Sequence, residues 1–275
     1  MNRYVYAVLS RRSRGISVGI NLNPDKVCNF GCVYCQVDRT VPPAFREVDE
    51  AVLSEELESI LERARDGGLF RIPPFDSIPS PLRHLADIAF AGDGEPTTYP
   101  RFREVAGQVI GLKSRLGMDG LKIIVLTNCT VLDRPAIREA LALLDAAGGE
   151  IWAKLDAGSE AFYEKVCAPG GTKFSKILGN ILGAARVRPL VIQSLFLRLQ
   201  GEPPAGAEID AYCDRLGEVI AGGGKIRLVQ IYTVARRPAV AAVSPLSDAE
   251  VEAIANQVRS RTGLPVEAYH GSIAW

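Results

Sequence analysis

The chain has no net charge, because 32 Lys and Arg side chains are balanced by 32 Asp and Glu. A protein without surplus positive charge is not steered as a whole toward phosphate backbones. The segment Arg11-Arg12-Ser13-Arg14 is the one obvious basic patch. A solvated charge cluster explains this segment at least as well as contact with a nucleic acid does.

Long apolar runs are lacking as well. None approaches the ~18 residues that a membrane-spanning helix needs, so we expect no membrane partner. The apolar stretch 5–9 is followed by arginines and by no credible cleavage site. This pattern argues against a secretory signal and for a cytoplasmic protein. In the cytosol, six cysteines indicate metal binding or packing rather than a disulfide framework.

Two sequence patterns alternate along the chain. Apolar, β-branched runs predict six strands, at Ile16–Leu22, Ile88–Ala91, Leu121–Thr127, Ile151–Leu155, Leu190–Leu197 and Ile226–Tyr232. Amphipathic stretches predict crossover helices at Ser54–Arg65, Phe102–Leu116, Pro135–Ala146, Ser175–Ala185, Ile209–Ile220 and Ser247–Arg261. Such alternation is typical of parallel strands with right-handed crossovers. We therefore expect an α/β fold, a partial (β/α)6 TIM-like barrel in one domain spanning 1–275, with its chemistry at the carboxyl ends of the strands.

One segment interrupts the alternation. Residues 71–82 contain the run Ile72-Pro73-Pro74-Phe75-Asp76-Ser77-Ile78-Pro79-Ser80-Pro81. This run is too rich in proline for a helix or a central strand. We expect an ordered loop or a lid that covers the substrate.

Three cysteines lie within eight residues, in the loop 24–38 that follows the first predicted strand. Cys28, Cys32 and Cys35 can wrap one inorganic core, and Gly31 lets the backbone curl around it. Iron–sulfur clusters are ordinarily held by four thiolates, so a cluster held by three keeps one iron open for substrate or cofactor chemistry. A zinc knuckle or three packed thiols are the alternatives. Structural zinc sites usually close with a fourth Cys or His, and no histidine is near in sequence.

The C-x3-C-x2-C spacing, with Tyr34 just before the last cysteine, resembles the radical S-adenosylmethionine (SAM) superfamily. The resemblance implies a [4Fe-4S] cluster whose open iron is chelated by the methionine end of SAM. It also implies that the reduced cluster cleaves SAM and that the resulting 5′-deoxyadenosyl radical abstracts a hydrogen from the substrate. A reductase such as flavodoxin or ferredoxin would supply the electron, and Tyr34 would lie beside the adenine.

A glycine-rich turn follows the second predicted strand. The run Gly92-Asp93-Gly94-Glu95-Pro96-Thr97 resembles the GGEP element of the superfamily, with Asp93 where many relatives have glycine. A turn of this kind exposes backbone carbonyls and a carboxylate, which suit a protonated amino group. We therefore predict that Gly92, Asp93, Gly94 and Glu95 bind the cofactor.

Polar residues mark the ends of the later strands. Asn128 follows the third strand, and strand alternation puts Lys154 and Asp156 on one face of the fourth. The cost of burying charge against the helices favours the interior mouth for both. The resemblance places Asn128 and Asp156 near the cofactor, with Asp156 suited to a ribose hydroxyl. Capping and turn roles remain open for these residues.

Two glutamines lie inside apolar strands. Gln193 belongs to the fifth strand, and Gln230 shares a face of the sixth with Tyr232. Both are candidate cofactor or substrate contacts. The alternative is that each amide satisfies a neighbouring polar group.

Almost the full chain resembles one branch of the superfamily, the stand-alone iron–sulfur oxidoreductases grouped with the wyosine tRNA-modifying enzymes. The landmarks are Ser10-Arg11-Arg12, Cys-Val-Tyr-Cys-Gln ending in Gln36, Leu126-Thr127-Asn128, Leu155-Asp156-Ala157, and Val229-Gln230 leading to Arg237-Pro238. The tRNA-modifying members carry additional N-terminal cysteines for a second cluster, and this chain has none before Cys28. That difference argues against wyosine chemistry.

Three further cysteines are widely separated. Cys213 lies within a predicted helix and is most simply a packed thiol, and Cys167 is expected in the loop after the fourth strand. Cys129 follows Asn128 at a strand end where many relatives carry glycine, so it would face the mouth. We predict Cys129 as a catalytic thiol that quenches a radical or binds substrate.

Two classes of function remain after the motifs are assigned. The first is a radical enzyme, and the second is a non-catalytic iron–sulfur protein that binds SAM or passes electrons. The intact Gly94-Glu95-Pro96 turn favours the enzyme. Zero net charge and the lack of an appended RNA-binding module favour a small-molecule or peptide substrate over an RNA base.

Overall fold

A computed structural model describes residues 2–236, 238 and 240–271. Internal contacts divide the chain into two compact units. The first comprises Met1–Cys28, Pro42–Thr127 and Arg134–Ile151, and the second comprises Asn29–Val41, Asn128–Asp133 and Trp152–Trp275. Of the sequence landmarks, Arg237 lies outside the described residues. The single domain stays a prediction.

The first unit alternates strands with helices. Its strands are β1 (Val5–Ser10), β2 (Gly15–Ile20), β3 (Leu85–Phe90) and β4 (Lys122–Thr127), and its helices are α1 (Glu50–Arg65), α2 (Phe102–Arg115) and α3 (Pro135–Ala146). β1 pairs antiparallel with β2, whereas β2, β3 and β4 are paired in parallel. Parallel neighbours require long crossover connections, and α1 and α2 lie within them.

Helix α1 begins four residues before its predicted start at Ser54. Asp49 is the N-cap, and its carboxylate accepts hydrogen bonds from the amides of Ala51 and Val52. Such a cap satisfies backbone donors that would otherwise lack partners. The buried face comprises Leu53, Leu57, Ile60, Leu61 and Ala64, at the spacing of an amphipathic helix.

The proline-rich segment is an ordered loop. It forms short 3-10 helices at Gly68–Arg71, Phe75–Ser77 and Ser80–Leu82. Phe75 and Ile78 are buried in a cluster with Ile16 near the start of β2. The segment therefore packs by the amino end of that strand. This position agrees with an ordered loop and not with a lid over a substrate bound at the carboxyl ends of the strands.

The second unit continues the alternation. It contains the last residues of β5 (Glu150–Lys154), followed by α4 (Glu160–Cys167), α5 (Phe174–Val187), β6 (Leu190–Leu195), β7 (Arg198–Leu199), α6 (Gly206–Ala221), β8 (Ile226–Tyr232), β9 (Val243–Ser244), α7 (Asp248–Thr262) and β10 (Val266–Tyr269). The strand order β5-β6-β8-β10 is parallel throughout. β7 and β9 form a separate antiparallel pair.

All six predicted strands are confirmed, as β2, β3, β4, β5, β6 and β8. The predicted α/β class with parallel strands is confirmed too. The sequence did not indicate β1, β10, the short pair β7 and β9, or α4. Cys167 is the last residue of α4, so its predicted loop position is wrong.

A polar row runs across the second unit. Lys154 on β5 is in register with Gln193 on β6, Gln193 with Gln230 on β8, and Gln230 with Glu267 on β10. Residues in register across parallel strands project to the same face of a sheet. Four polar side chains thus share one face among apolar strands.

No helix in the described ranges is long and apolar enough to cross a membrane.

Candidate functional site

The cysteine loop holds three thiols that form no disulfide, each partly buried. Cys28 ends one segment of the first unit, whereas Cys32 and Cys35 belong to the second. The amide of Cys35 donates to the carbonyl of Cys32 at 2.9 Å, which closes a tight turn. The amide of Gly31 donates to the carbonyl of Ala168 at 2.9 Å, and that of Val33 to Val166 at 2.9 Å. These bonds attach the loop to the end of α4.

Hydrogen-bond donors surround the two cysteines of the second unit. The contact with the Cys167 thiol is the main cause that lowers the pKa of Cys32, and burial opposes it. Nη1 of Arg39 lies 3.1 Å from Sγ of Cys35. Iron binds the thiolate form of cysteine, and donors directed at sulfur favour that form. Both environments fit ligands of an iron–sulfur cluster.

Within the described ranges, no three Cys, His, Asp or Glu side chains converge as ligands of a single metal ion do. The thiolates around a four-iron cluster bind separate irons, so a cluster does not require such convergence.

Tyr34 is anchored by a buried carboxylate. Its hydroxyl donates to Oδ2 of Asp156 at 2.5 Å. Oδ1 of Asp156 accepts the amide of Leu195 at 2.7 Å and lies 3.0 Å from Nζ of Lys154. Burial, followed by the charge of Asp156, raises the pKa of Tyr34 well above its usual range. Tyr34 is therefore a neutral donor held in one orientation.

Lys154 is a mostly buried cation surrounded by a carboxylate and two tyrosines. Its ammonium donates to the hydroxyl of Tyr232 at 2.6 Å and lies about 5.0 Å from the ring centroid of Tyr34. Burial alone would lower the pKa of Lys154, but the charge of Asp156 and the hydroxyl of Tyr232 raise it above its ordinary value. Lys154 therefore carries a positive charge at neutral pH.

The two glutamines hydrogen-bond each other. Nε2 of Gln193 donates to Oε1 of Gln230 at 3.0 Å, and the Tyr232 hydroxyl donates to Oε1 of Gln193 at 3.3 Å. Both side chains are buried. This pairing is the behaviour expected of amides that satisfy neighbouring polar groups. Their contact with a cofactor stays a prediction.

Asn128 and Cys129 form a tight turn. Nδ2 of Asn128 donates to Oδ1 of Asn29 at 2.8 Å, and Oδ1 of Asn128 accepts the amide of Thr130 at 3.1 Å. Cys129 is fully buried and has φ of 66°, in the left-handed region that favours glycine. Glycine adopts this conformation more readily than cysteine does. The catalytic role of Cys129 stays a prediction.

These elements surround a narrow recess within the second unit, with a cavity volume of about 30 Å³. The lining residues are Phe30, Cys32, Tyr34, Asn128, Lys154, Leu155, Asp156, Tyr163, Cys167, Phe174 and Ile177. The walls of the recess are mostly apolar, and a few polar groups converge on it.

The glycine-rich turn belongs to the first unit and needs both of its glycines. A Cβ at Gly92 would lie 2.3 Å from Oδ1 of Asn21, and a Cβ at Gly94 would lie 2.3 Å from the carbonyl oxygen of Val27. Asn21 also donates to Oδ2 of Asp93 at 2.8 Å. Gly94 thus lets the turn pass against the backbone that precedes Cys28.

Glu95 has a precisely oriented carboxylate. Its side chain is almost completely buried, and Oε1 accepts the amide of Thr97 at 3.2 Å and the hydroxyls of Thr97 at 2.5 Å and Thr127 at 2.7 Å. Thr97 and Thr127 were not predicted as site residues. A buried carboxylate held in this way is a suitable partner for a cationic amino group.

Three further neighbours of the site were missed by sequence reasoning. Cys167, Arg39 and Tyr163 contact or adjoin the cysteine loop only in the folded chain. Arg39 could have been found, because it lies four residues after Cys35. Cys167 and Tyr163 had no local signal, since their helix α4 was not predicted.

Comparison with known proteins identifies the family. The model of the Radical SAM superfamily matches residues 22–198, a range that includes Cys28, Cys32 and Cys35. A UPF0026 protein of Helicobacter pylori is 26% identical over 213 residues, which are 77% of this chain and 61% of that protein. The chain thus spans about three fifths of this relative's length.

Two solved structures share the fold. A radical SAM methyltransferase from Sphaerobacter thermophilus has a TM-score of 0.68 and 15% identity, over 97% of this chain and 69% of that one. This likeness confirms the predicted partial TIM-like barrel of a radical SAM core. TYW1 with a lysine–pyruvate adduct bound has a TM-score of 0.54 and 17% identity, over 90% and 74%. TYW1 is a wyosine tRNA-modifying protein, so the resemblance to that group is confirmed at the level of fold.

Proposed function

The chain belongs to the radical SAM superfamily, and we propose that it is an enzyme that cleaves SAM reductively at a [4Fe-4S] cluster held by Cys28, Cys32 and Cys35. When bound, the cluster and SAM supply a 5′-deoxyadenosyl radical that abstracts a hydrogen from the substrate. The observation that carries the proposal is the set of three thiols in the C-x3-C-x2-C loop, none of which forms a disulfide, with Nη1 of Arg39 3.1 Å from Sγ of Cys35.

The glycine-rich turn would bind the methionine end of SAM. Glu95 supplies a buried carboxylate, and Thr97 and Thr127 hold one of its oxygens in place. A carboxylate fixed in this way can form a charge-assisted hydrogen bond with an ammonium group. Because the carboxylate is already oriented, no free energy is lost in reorienting it. The backbone carbonyls of Gly92, Asp93 and Gly94 would complete this contact, as the family resemblance implies.

Asp156 would act mainly by positioning other residues. An ionised carboxylate offers about four lone-pair sites, and Asp156 already receives donors from Leu195, Lys154 and Tyr34. One site is left for a ribose hydroxyl. Asp156 holds Tyr34 where the resemblance puts the adenine, while Lys154, Asn128, Gln193 and Gln230 would form the polar surroundings of the cofactor.

A small molecule or a peptide is the proposed substrate class. The absence of net charge and the mostly apolar recess support this class over a nucleic acid. The fold shared with TYW1 keeps an RNA base as the second class to be tested. Cys129 is proposed as a thiol that acts on the substrate, and a flavodoxin or ferredoxin is proposed as reductant.

The cluster proposal predicts a spectroscopic result. Anaerobic reconstitution with iron and sulfide should load about four irons per chain, as one [4Fe-4S] cluster requires. The electron paramagnetic resonance (EPR) signal of the dithionite-reduced protein should change when SAM is added, because SAM would occupy the open iron. Cys213→Ala is a matched control that removes a buried thiol outside the motif and should behave like the wild type. A reduced cluster whose spectrum is indifferent to saturating SAM would contradict the proposal.

A further inference from the structure

Cys167 lies beside a cluster ligand, at the end of α4. The amides of Gly31 and Val33 donate to the carbonyls of Ala168 and Val166 at 2.9 Å each, and these two bonds flank Cys32 in the loop and Cys167 in the helix. Both side chains line the same recess, and the contact between the two thiols is the main cause that lowers the pKa of Cys32. Cys167 itself is buried, with 3% of its surface exposed. The Cys167 thiol therefore lies beside Cys32 in an environment that is largely closed to solvent.

Arg39 provides a comparable contact on the other cysteine of the same unit. Its Nη1 lies 3.1 Å from Sγ of Cys35 and 3.5 Å from the carbonyl oxygen of Val37. Arginine stays protonated in proteins, so the guanidinium always donates in this contact. Arg39 is exposed, so solvent screens the electrostatic effect of its charge on distant groups. The direct hydrogen bond from Arg39 to the Cys35 sulfur is kept.

We propose that Cys167 and Arg39 are positioning residues that donate hydrogen bonds to the cluster ligands Cys32 and Cys35 and thereby raise the reduction potential of the cluster. This inference rests on the proposed cluster. A ligating Cys32 is a thiolate without a proton, so the S–H group of Cys167 is the donor.

The physical reason is the charge gained on reduction. A one-electron reduction adds negative charge to the cluster, and part of it is carried by the ligand sulfurs. A donor aimed at a ligand sulfur stabilises the reduced state more than the oxidised state, and hydrogen bonds to the sulfurs are among the determinants of cluster potentials. The bond from Cys167 is shielded from water, which strengthens a donor that is weak in itself.

The test is a redox titration of the cluster, followed by EPR without SAM. Cys167→Ala and Arg39→Ala should each lower the potential. At the potential where half of the wild-type cluster is reduced, we expect a roughly three- to tenfold fall in the ratio of reduced to oxidised cluster, and tenfold corresponds to about 59 mV for one electron. Cys167→Ser and Arg39→Lys keep a donor and should retain most of the wild-type potential. Cys213→Ala should leave it unchanged.

Wild-type potentials in fully loaded Cys167→Ala and Arg39→Ala proteins would overturn the inference while leaving the proposed function intact. A wild-type protein that takes up no cluster would instead contradict the proposed function. A role of Cys167 in folding alone would lower cluster content without moving the potential of the clusters that form.

A cluster-free measurement covers the case in which Cys167→Ala takes up no cluster. In a Cys28→Ala, Cys35→Ala background, diamide would oxidise the Cys32 and Cys167 thiols to a disulfide, accepting their two electrons and two protons to become the hydrazine. A disulfide needs Cα atoms about 4.4–6.8 Å apart, and the two backbone bonds that flank Cys32 and Cys167 hold these residues side by side. Mass spectrometry should find peptides joined through Cys32 and Cys167, and their absence would overturn the proposed contact.

Discussion

Replacing Asp156 with alanine is expected to lower the free energy of unfolding by about 3–5 kcal/mol, the usual cost of removing one partner of a buried ion pair. Lys154 would be left with 15% of its side chain exposed and no carboxylate to offset its charge. The amide of Leu195 and the hydroxyl of Tyr34 would lose an acceptor as well. Urea unfolding of the cluster-free protein measures this change without interference from cofactors.

The Asp156→Ala, Lys154→Met double variant separates the ion pair from the other contacts. Methionine removes the stranded charge while filling much of the same space, so the double variant should be more stable than Asp156→Ala alone. A decrease in the free energy of unfolding below about 1 kcal/mol in Asp156→Ala is the size expected of a surface ion pair. That result would show that Lys154 does not depend on Asp156 to offset its charge.

Replacing Glu95 with glutamine should weaken SAM binding by about 10- to 100-fold while the fold is kept. The amide oxygen of glutamine can still accept from Thr97 and Thr127, so the local structure persists. The negative charge is lost, and a hydrogen bond to a charged group contributes about 1.5–3 kcal/mol. Isothermal calorimetry on the anaerobically reconstituted protein measures the affinity.

Asp93→Asn is the matched control for Glu95→Gln. Asp93 lies in the same turn but is only half-buried, and it accepts a hydrogen bond from Asn21 that an asparagine oxygen can also accept. We expect this variant to bind SAM within about threefold of the wild type, which is under 1 kcal/mol. Equal losses in both variants would mean that general charge, and not the oriented carboxylate of Glu95, attracts the cofactor.

The six predicted parallel strands were predictable from sequence because each is rich in apolar, β-branched residues. β2 and β6 are buried at every position and consist mainly of hydrophobic residues. β1 has an exposed or half-buried residue at five of six positions and joins β2 through an arginine-rich turn, so its pairing left no clear pattern. Helix α4 has only eight residues, about two turns, which is too short for a reliable helical period.

The site was predictable where the chemistry is local in sequence. The three cysteines of the motif and the glycine-rich turn each belong to one short, continuous segment of the chain. Their spacing in sequence is therefore enough to predict that the residues of each motif act together. The partners of these residues are distant in the chain: Cys167 reaches Cys32, and Asp156 reaches Tyr34, only because strands and helices bring them together. The mutual hydrogen bond of Gln193 and Gln230 depends on strand register, which a single sequence does not reveal.

The most direct test of the central claim is the formation of 5′-deoxyadenosine. The anaerobically reconstituted protein is reduced with dithionite in the presence of SAM, and the nucleoside is followed by mass spectrometry beside a Cys32→Ala control. We predict 5′-deoxyadenosine from the wild type and none above background from the variant. An intact, reduced cluster that leaves SAM uncleaved would contradict the account and favour an iron–sulfur protein that binds SAM or transfers electrons.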